Sequence, residues 1–127
     1  MRLGFRENKK KRVGFSYAIN GLKIAFKNEI NIRIHFTIAL FVIIGGFIFS
    51  IPLLEWVLLI LMIGFVITAE LINTAVETML DHLAPNWHPV VGSIKDLTAS
   101  AVLVSSIVAF IVGIIIFIPK FIEWFTL

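Results

Sequence analysis

Four polar side chains recur along one stretch of an otherwise apolar segment: Glu70, Asn73, Glu77 and Asp81, within ELINTAVETMLD. At about 100° per residue on a helix, the last three lie about −60°, −20° and +20° from Glu70, so all four share one face. On a soluble protein such a stripe would be a solvated surface. Here it follows the run from Trp56 to Ala69, in which Thr68 is the one polar side chain. If Trp56 marks the outer interface, Glu70 lies about 21 Å into a hydrocarbon core of about 30 Å, and Glu77, at about 31 Å, reaches its inner boundary. An ionisable group at the depth of Glu70 costs on the order of 3 kcal/mol to insert, which marks it as functional or as paired inside the protein. A carboxylate so placed is suited to act as a general base.

Two further polar clusters converge on the same level. Glu29 stands where a polar segment gives way to the first apolar run, with Arg33 as its i+4 partner, and Lys95 and Asp96 begin the last apolar run. Carboxylates from two helices plus a lysine can hold a divalent cation and a polyphosphate, because magnesium binds through a few carboxylates shared with substrate phosphates. The remaining candidates are weaker. His35 reads as a satisfied polar group facing a neighbouring helix. His82 and His88 lack a third ligand at zinc spacing. Trp87, beside His88 in a turn, has a ring that could stack on a purine. The small residues Ala99, Ser100, Ala101, Ser105 and Ser106 read as a close helix-packing face.

These groups must be carried by membrane-spanning elements. Of the 127 residues 59% are hydrophobic and 15% charged, with a mean hydropathy of +1.00, which excludes a disordered chain and speaks against a water-soluble enzyme. With no cysteine, disulfide scaffolds, thiolate metal sites and thiol catalysis are excluded. Three apolar runs approach the roughly 20 residues that cross a bilayer. Ahead of them, Phe15, Ala18, Ile19, Leu22, Ala25 and Phe26 recur at helical spacing, with Ser16, Asn20, Lys23 and Lys27 opposite, as in a helix lying among headgroups. The expected fold is an all-α membrane protein, an N-terminal interfacial amphipathic helix plus three transmembrane helices per protomer. Its boundaries are a basic segment over 1–12, the interfacial helix over 13–28, spans over 30–51, 53–83 and 96–118, a loop over 84–95 that Pro85, Pro89 and Gly92 make a turn, and a tail over 119–127.

Charge orients the bundle. Nine basic residues and two acids lie in the first 33 positions, whereas the rest of the chain has two basic residues and six acids. The positive-inside rule then puts the N-terminus and the 84–95 loop in the cytoplasm, and the C-terminal tail outside.

The segments NEINIRIH (28–35), AELINTAVETMLDH (69–82) and GSIKDLTASAVLV (92–104) together resemble the prokaryotic diacylglycerol kinases, small integral-membrane lipid kinases of the cell membrane. NEINIRIH with its histidine, the Trp87-His88-Pro89 turn and the IFIPK ending look more like the Gram-positive branch, whose members phosphorylate undecaprenol. The resemblance implies ATP as donor, Mg2+ as cofactor, a membrane lipid as acceptor and no nucleic acid. It also implies a homotrimer with composite sites between protomers. Glu70 matches the catalytic base, and Glu29 and Glu77 match the carboxylates that hold the magnesium bound to ATP. Lys95 and Asp96 match nucleotide-binding positions, and Tyr17, Asn86, Trp87 and His88 fall where the family contacts ATP, although Pro85 and Pro89 depart from other members. Arg33, Asn73 and Ala99 fall around the base and the lipid.

The residues fit that implication. No GxxxxGK[ST] loop and no HRD or DFG set is present, and phosphoryl transfer asks mainly for alignment, metal and charge neutralisation. Diacylglycerol remains the alternative acceptor, since a membrane pocket reads tails weakly. A proton- or cation-conducting bundle is a remote alternative, opposed by the apolar outer half of the second span. A structural subunit would leave the acidic stripe unexplained.

Overall fold

A computed structural model describes residues 14–126, in four helices: α1 (Gly14–Asn28), α2 (Ile30–Ile48), α3 (Leu53–Leu83) and α4 (Pro89–Thr126). The basic segment over 1–12 lies outside the described residues. Helices α2, α3 and α4 are each long and apolar enough to cross a membrane. They run up, down and up, so the α3–α4 loop returns to the end of the bundle that carries α1.

Glu29 separates α1 from α2. Its φ and ψ of −114° and 116° are extended, and its N–H donates to Ala25 O at 2.9 Å. Across this break the guanidinium of Arg33 donates from Nη1 to the carbonyls of Phe26 (3.3 Å) and Lys27 (3.2 Å), covering the unpaired C-terminal turn of α1. The apolar face of α1 is left open, with Phe15 and Phe26 exposed and Ala25 buried, as suits a helix lying at a lipid surface.

The first span ends at Ile48, three residues short of its expected limit, because a Schellman turn stops it. Ser50 takes a left-handed φ of 47°, its N–H donates to Phe47 O, and the N–H of Ile51 donates to Gly46 O. Gly46 is also where α3 comes closest. A Cβ there would stand 2.6 Å from the Trp56 ring, so only a residue without a side chain admits the indole. Around this hairpin Ile51, Leu59 and Ile116 are buried, with Phe49, Trp56 and Phe117 packed on them. The apolar core thus sits at one end of the bundle.

Helix α4 extends beyond both ends of the expected span. The stretch over 89–95, expected as turn, is helical: Pro89 occupies the first helical turn, where its missing N–H costs nothing, and His88 caps the helix by accepting the Val90 N–H on Nδ1 at 3.1 Å. At the other end α4 runs through Pro119 to Thr126 instead of stopping at 118. An interior proline costs roughly 3 kcal/mol. Cross-element contacts hold the helix beyond it: Lys120 Nζ lies 3.0 Å from Glu55 Oε2, and Trp124 packs edge-on against Phe49 with ring centroids 5.0 Å apart.

Candidate active site

The buried residues of α3 are Leu59, Val66, Glu70 and Asn73. Their spacing makes one stripe facing the bundle interior, apolar toward the hairpin and polar toward α1. Glu70 is 2% exposed and Asn73 6%. Glu77 further along is half-buried and Asp81 exposed, so the acidic face emerges gradually from the protein. Within the same turn as Glu70, Asn73 Oδ1 and Thr74 Oγ1 are buried without a hydrogen-bond partner. A buried polar atom left unpaired costs about 1–3 kcal/mol, so Asn73 and Thr74 each call for a partner that the single chain does not supply.

The nearest charge-bearing neighbour of that carboxylate comes from α2. His35 Nε2 lies 3.8 Å from Glu70 Oε2. His35 thus faces a neighbouring helix as expected, but the sequence did not say that Glu70 is the group it faces, and at 3.8 Å the two are not hydrogen-bonded. The two helices meet in an offset register, His35 lying 13 residues before the end of α2 and Glu70 17 beyond the start of α3, which counting equal distances from the turn does not give.

That register also aligns the two other carboxylates. Glu29 is six residues below His35 and Glu77 seven beyond Glu70, so with a rise of about 1.5 Å per residue they stand at nearly the same height. No ion pair engages either among the described residues, and the Glu29 side chain makes no cap hydrogen bond. The expected Glu29–Arg33 pair does not form, since Arg33 is committed to the end of α1. No group of three or more metal-ligating side chains is assembled among the described residues. Glu29 and Glu77, at one height, are hard oxygen donors of the kind that suits a magnesium ion drawing its other ligands from water and phosphate.

Helices α3 and α4 are tied at both ends, by Glu55 with Lys120 and by Asp81 with Lys95. Lys95 Nζ donates to Asp81 Oδ1, which holds the lysine at the mouth of the site. Ala99, four residues on from Lys95, lies level with Glu77, four before Asp81. Asp96 is exposed beside Lys95. Asn86, Trp87 and His88 form the short loop at this end; Trp87 is 85% exposed, and His88 has one ring nitrogen occupied as a cap. Tyr17 is exposed on α1, apart from the buried stripe.

Fold and site together define a helical membrane protein with a carboxylate buried in the bundle and cationic and aromatic side chains at one end. The family model for prokaryotic diacylglycerol kinase matches residues 16–117. The chain is 35% identical over 106 residues to the undecaprenol kinase of Bacillus subtilis, which covers 84% of this chain and 86% of that one. It is 34% identical over 103 residues to the diacylglycerol kinase of Haemophilus influenzae (80% and 87%) and 31% over 101 residues to that of Escherichia coli K12 (80% and 81%). The chain belongs to the prokaryotic diacylglycerol kinase family, and it is a lipid kinase.

Proposed function

We propose that the protein transfers the γ-phosphoryl group of magnesium-bound ATP to the hydroxyl of undecaprenol, making undecaprenyl phosphate. The observation that carries this reading is Glu70: a carboxylate 2% exposed inside a membrane bundle, amid unpaired polar atoms, level with the end of an apolar cavity. The likeness to the undecaprenol kinase of Bacillus subtilis supports this acceptor.

Glu70 takes the proton of the lipid hydroxyl, and Asn73, Arg33 and Ala99 surround the base and the lipid. Glu29 and Glu77 hold the magnesium, which neutralises phosphate charge when bound. Lys95 exchanges Asp81 for a phosphate, with Asp96 beside it. Tyr17, Asn86, Trp87 and His88 contact the nucleotide, and His88 does so with the ring nitrogen that capping leaves free. The basic N-terminal residues put α1 and the α3–α4 loop in the cytoplasm, where ATP is, and the C-terminus outside. Three protomers form a homotrimer with composite sites, which gives Asn73 and Thr74 the partners that one protomer lacks.

The test offers labelled ATP and detergent-solubilised protein undecaprenol and diacylglycerol side by side. Preferential labelling of undecaprenol is expected. Preferential labelling of diacylglycerol overturns the acceptor, and no labelled lipid counts against the kinase itself.

A further inference from the structure

An apolar cavity of about 390 Å³ runs between α2, α3 and α4. Along α4 its lining extends from Ser106 to Ile118, about 18 Å at helical rise. His35 is the one ionisable side chain that lines it, and Ser106 the one hydroxyl; both stand at the end nearer α1, and the rest of the lining is aliphatic, aromatic, methionine or glycine. A chain lying in this cavity would therefore meet its first polar group at His35. His35 is 18% exposed, and its Nε2 faces Glu70 Oε2 across 3.8 Å, too far for a direct hydrogen bond. One hydroxyl oxygen, about 2.8 Å from each atom, closes that gap.

We propose that His35 is a further catalytic residue, which fixes the acceptor hydroxyl against Glu70 while the acceptor's apolar chain lies in the cavity. This rests on the lipid-kinase site read above. An alcohol oxygen has one proton and two lone pairs. The proton points to Glu70 Oε2, one lone pair accepts the Nε2–H of His35, and the other is left facing the γ-phosphorus. As the new O–P bond forms, the bond from the γ-phosphorus to the bridging oxygen breaks, ADP departs with that electron pair, and the hydroxyl proton passes to Glu70. His35 keeps its proton throughout. Its contribution is orientation, and a misplacement of about 1 Å at the attacking atom is worth on the order of 10²-fold in rate.

The experiment measures kcat, KM for both substrates, and ADP released per lipid phosphate formed, for wild type and for His35→Ala, His35→Phe and His35→Gln. His35→Phe suits the apolar lining and separates a folding defect from a chemical one, with Trp fluorescence as the check. Loss of orientation predicts that His35→Ala and His35→Phe lower kcat about 10- to 100-fold with KM for ATP unchanged. The ratio of ADP to lipid phosphate should rise above that of wild type, because water reaches the phosphorus where the hydroxyl is no longer held. His35→Gln, which keeps an N–H donor, should recover to within about tenfold of wild type. Wild-type kcat and coupling in a folded His35→Phe variant would overturn the proposal while leaving the kinase intact. So would His35→Gln as defective as His35→Phe. Wild type that transfers phosphate to neither lipid would overturn instead the reading on which the proposal rests.

Discussion

Replacing Glu70 by glutamine keeps the shape of the side chain and removes its charge, and the structure makes the two consequences run in opposite directions. The carboxylate is 2% exposed, and its nearest charge-bearing neighbour, His35, is 3.8 Å away, beyond hydrogen-bond reach. Little pairing is lost in the substitution, while a desolvated charge costing up to about 3 kcal/mol is relieved. Glu70→Gln should therefore unfold at the same temperature as wild type or higher. As a general base the carboxylate contributes on the order of 10²- to 10⁴-fold in rate, so transfer should fall by at least a hundredfold, or about 2.7 kcal/mol of barrier. The assay pairs lipid phosphorylation with thermal unfolding followed by tryptophan fluorescence in detergent, and with binding of a non-hydrolysable ATP analogue, which should be retained. Turnover within tenfold of wild type would remove Glu70 from the base role. Loss of activity together with a lower unfolding temperature and lost nucleotide binding would mean that the carboxylate is structural.

Two further outcomes follow from the same geometry. Glu77→Gln, with no ion pair to lose among the described residues, should raise the magnesium concentration for half-maximal activity at least severalfold, and an unchanged magnesium titration would sink its assignment as a metal ligand. Ser50 carries a left-handed φ of 47°, so Ser50→Gly should stabilise the protein by roughly 1 kcal/mol with activity unchanged, read as a shift in the unfolding midpoint; a destabilised variant would mean that the Ser50 side chain holds the turn.

The spans and the buried face were legible because bilayer thickness and helical periodicity act on long stretches of chain. Helix α3 runs over Leu53–Leu83 as one unbroken periodic stretch, and the break at Glu29 lies where composition changes. The ends of helix α4 were not legible because both are decided by single prolines whose effect depends on position. Pro89 starts a helix that His88 caps, and Pro119 is carried through one by Glu55 and Trp124 partnerships with distant residues. The same limit hid His35. Its chemistry was visible, but its partner is 35 positions away, on a helix whose offset from α2 the turn over 49–52 does not fix by its length alone. The Glu29–Arg33 pair failed for a local reason: the unpaired carbonyls at the end of α1 compete for the guanidinium, and a nearly exposed ion pair offers only a few tenths of a kcal/mol in their place.

Register is also what the site most depends on. A slip of one residue between α3 and its neighbours would turn Glu70 by about 100° and shift it about 1.5 Å, out of the buried stripe and toward lipid, at a cost approaching the 3 kcal/mol of an unpartnered membrane charge. The ion pairs Glu55–Lys120 and Asp81–Lys95 lie at opposite ends of the α3–α4 contact, 26 residues apart on α3 and 25 on α4, so both close only in one antiparallel alignment. Each is partly exposed and worth at most about 1 kcal/mol as a bond. Their larger effect is on the alternatives, since a slipped pairing leaves Glu55 and Lys120, each about a quarter exposed, without their opposite charges at the hairpin end. The apolar face of α4, which packs on α3 through aliphatic side chains that tolerate sliding, cannot supply that discrimination. The levels at which Glu70 faces His35 and Glu29 stands opposite Glu77 are therefore set by charges outside the site, and the chemistry inside it is free to remain unpaired.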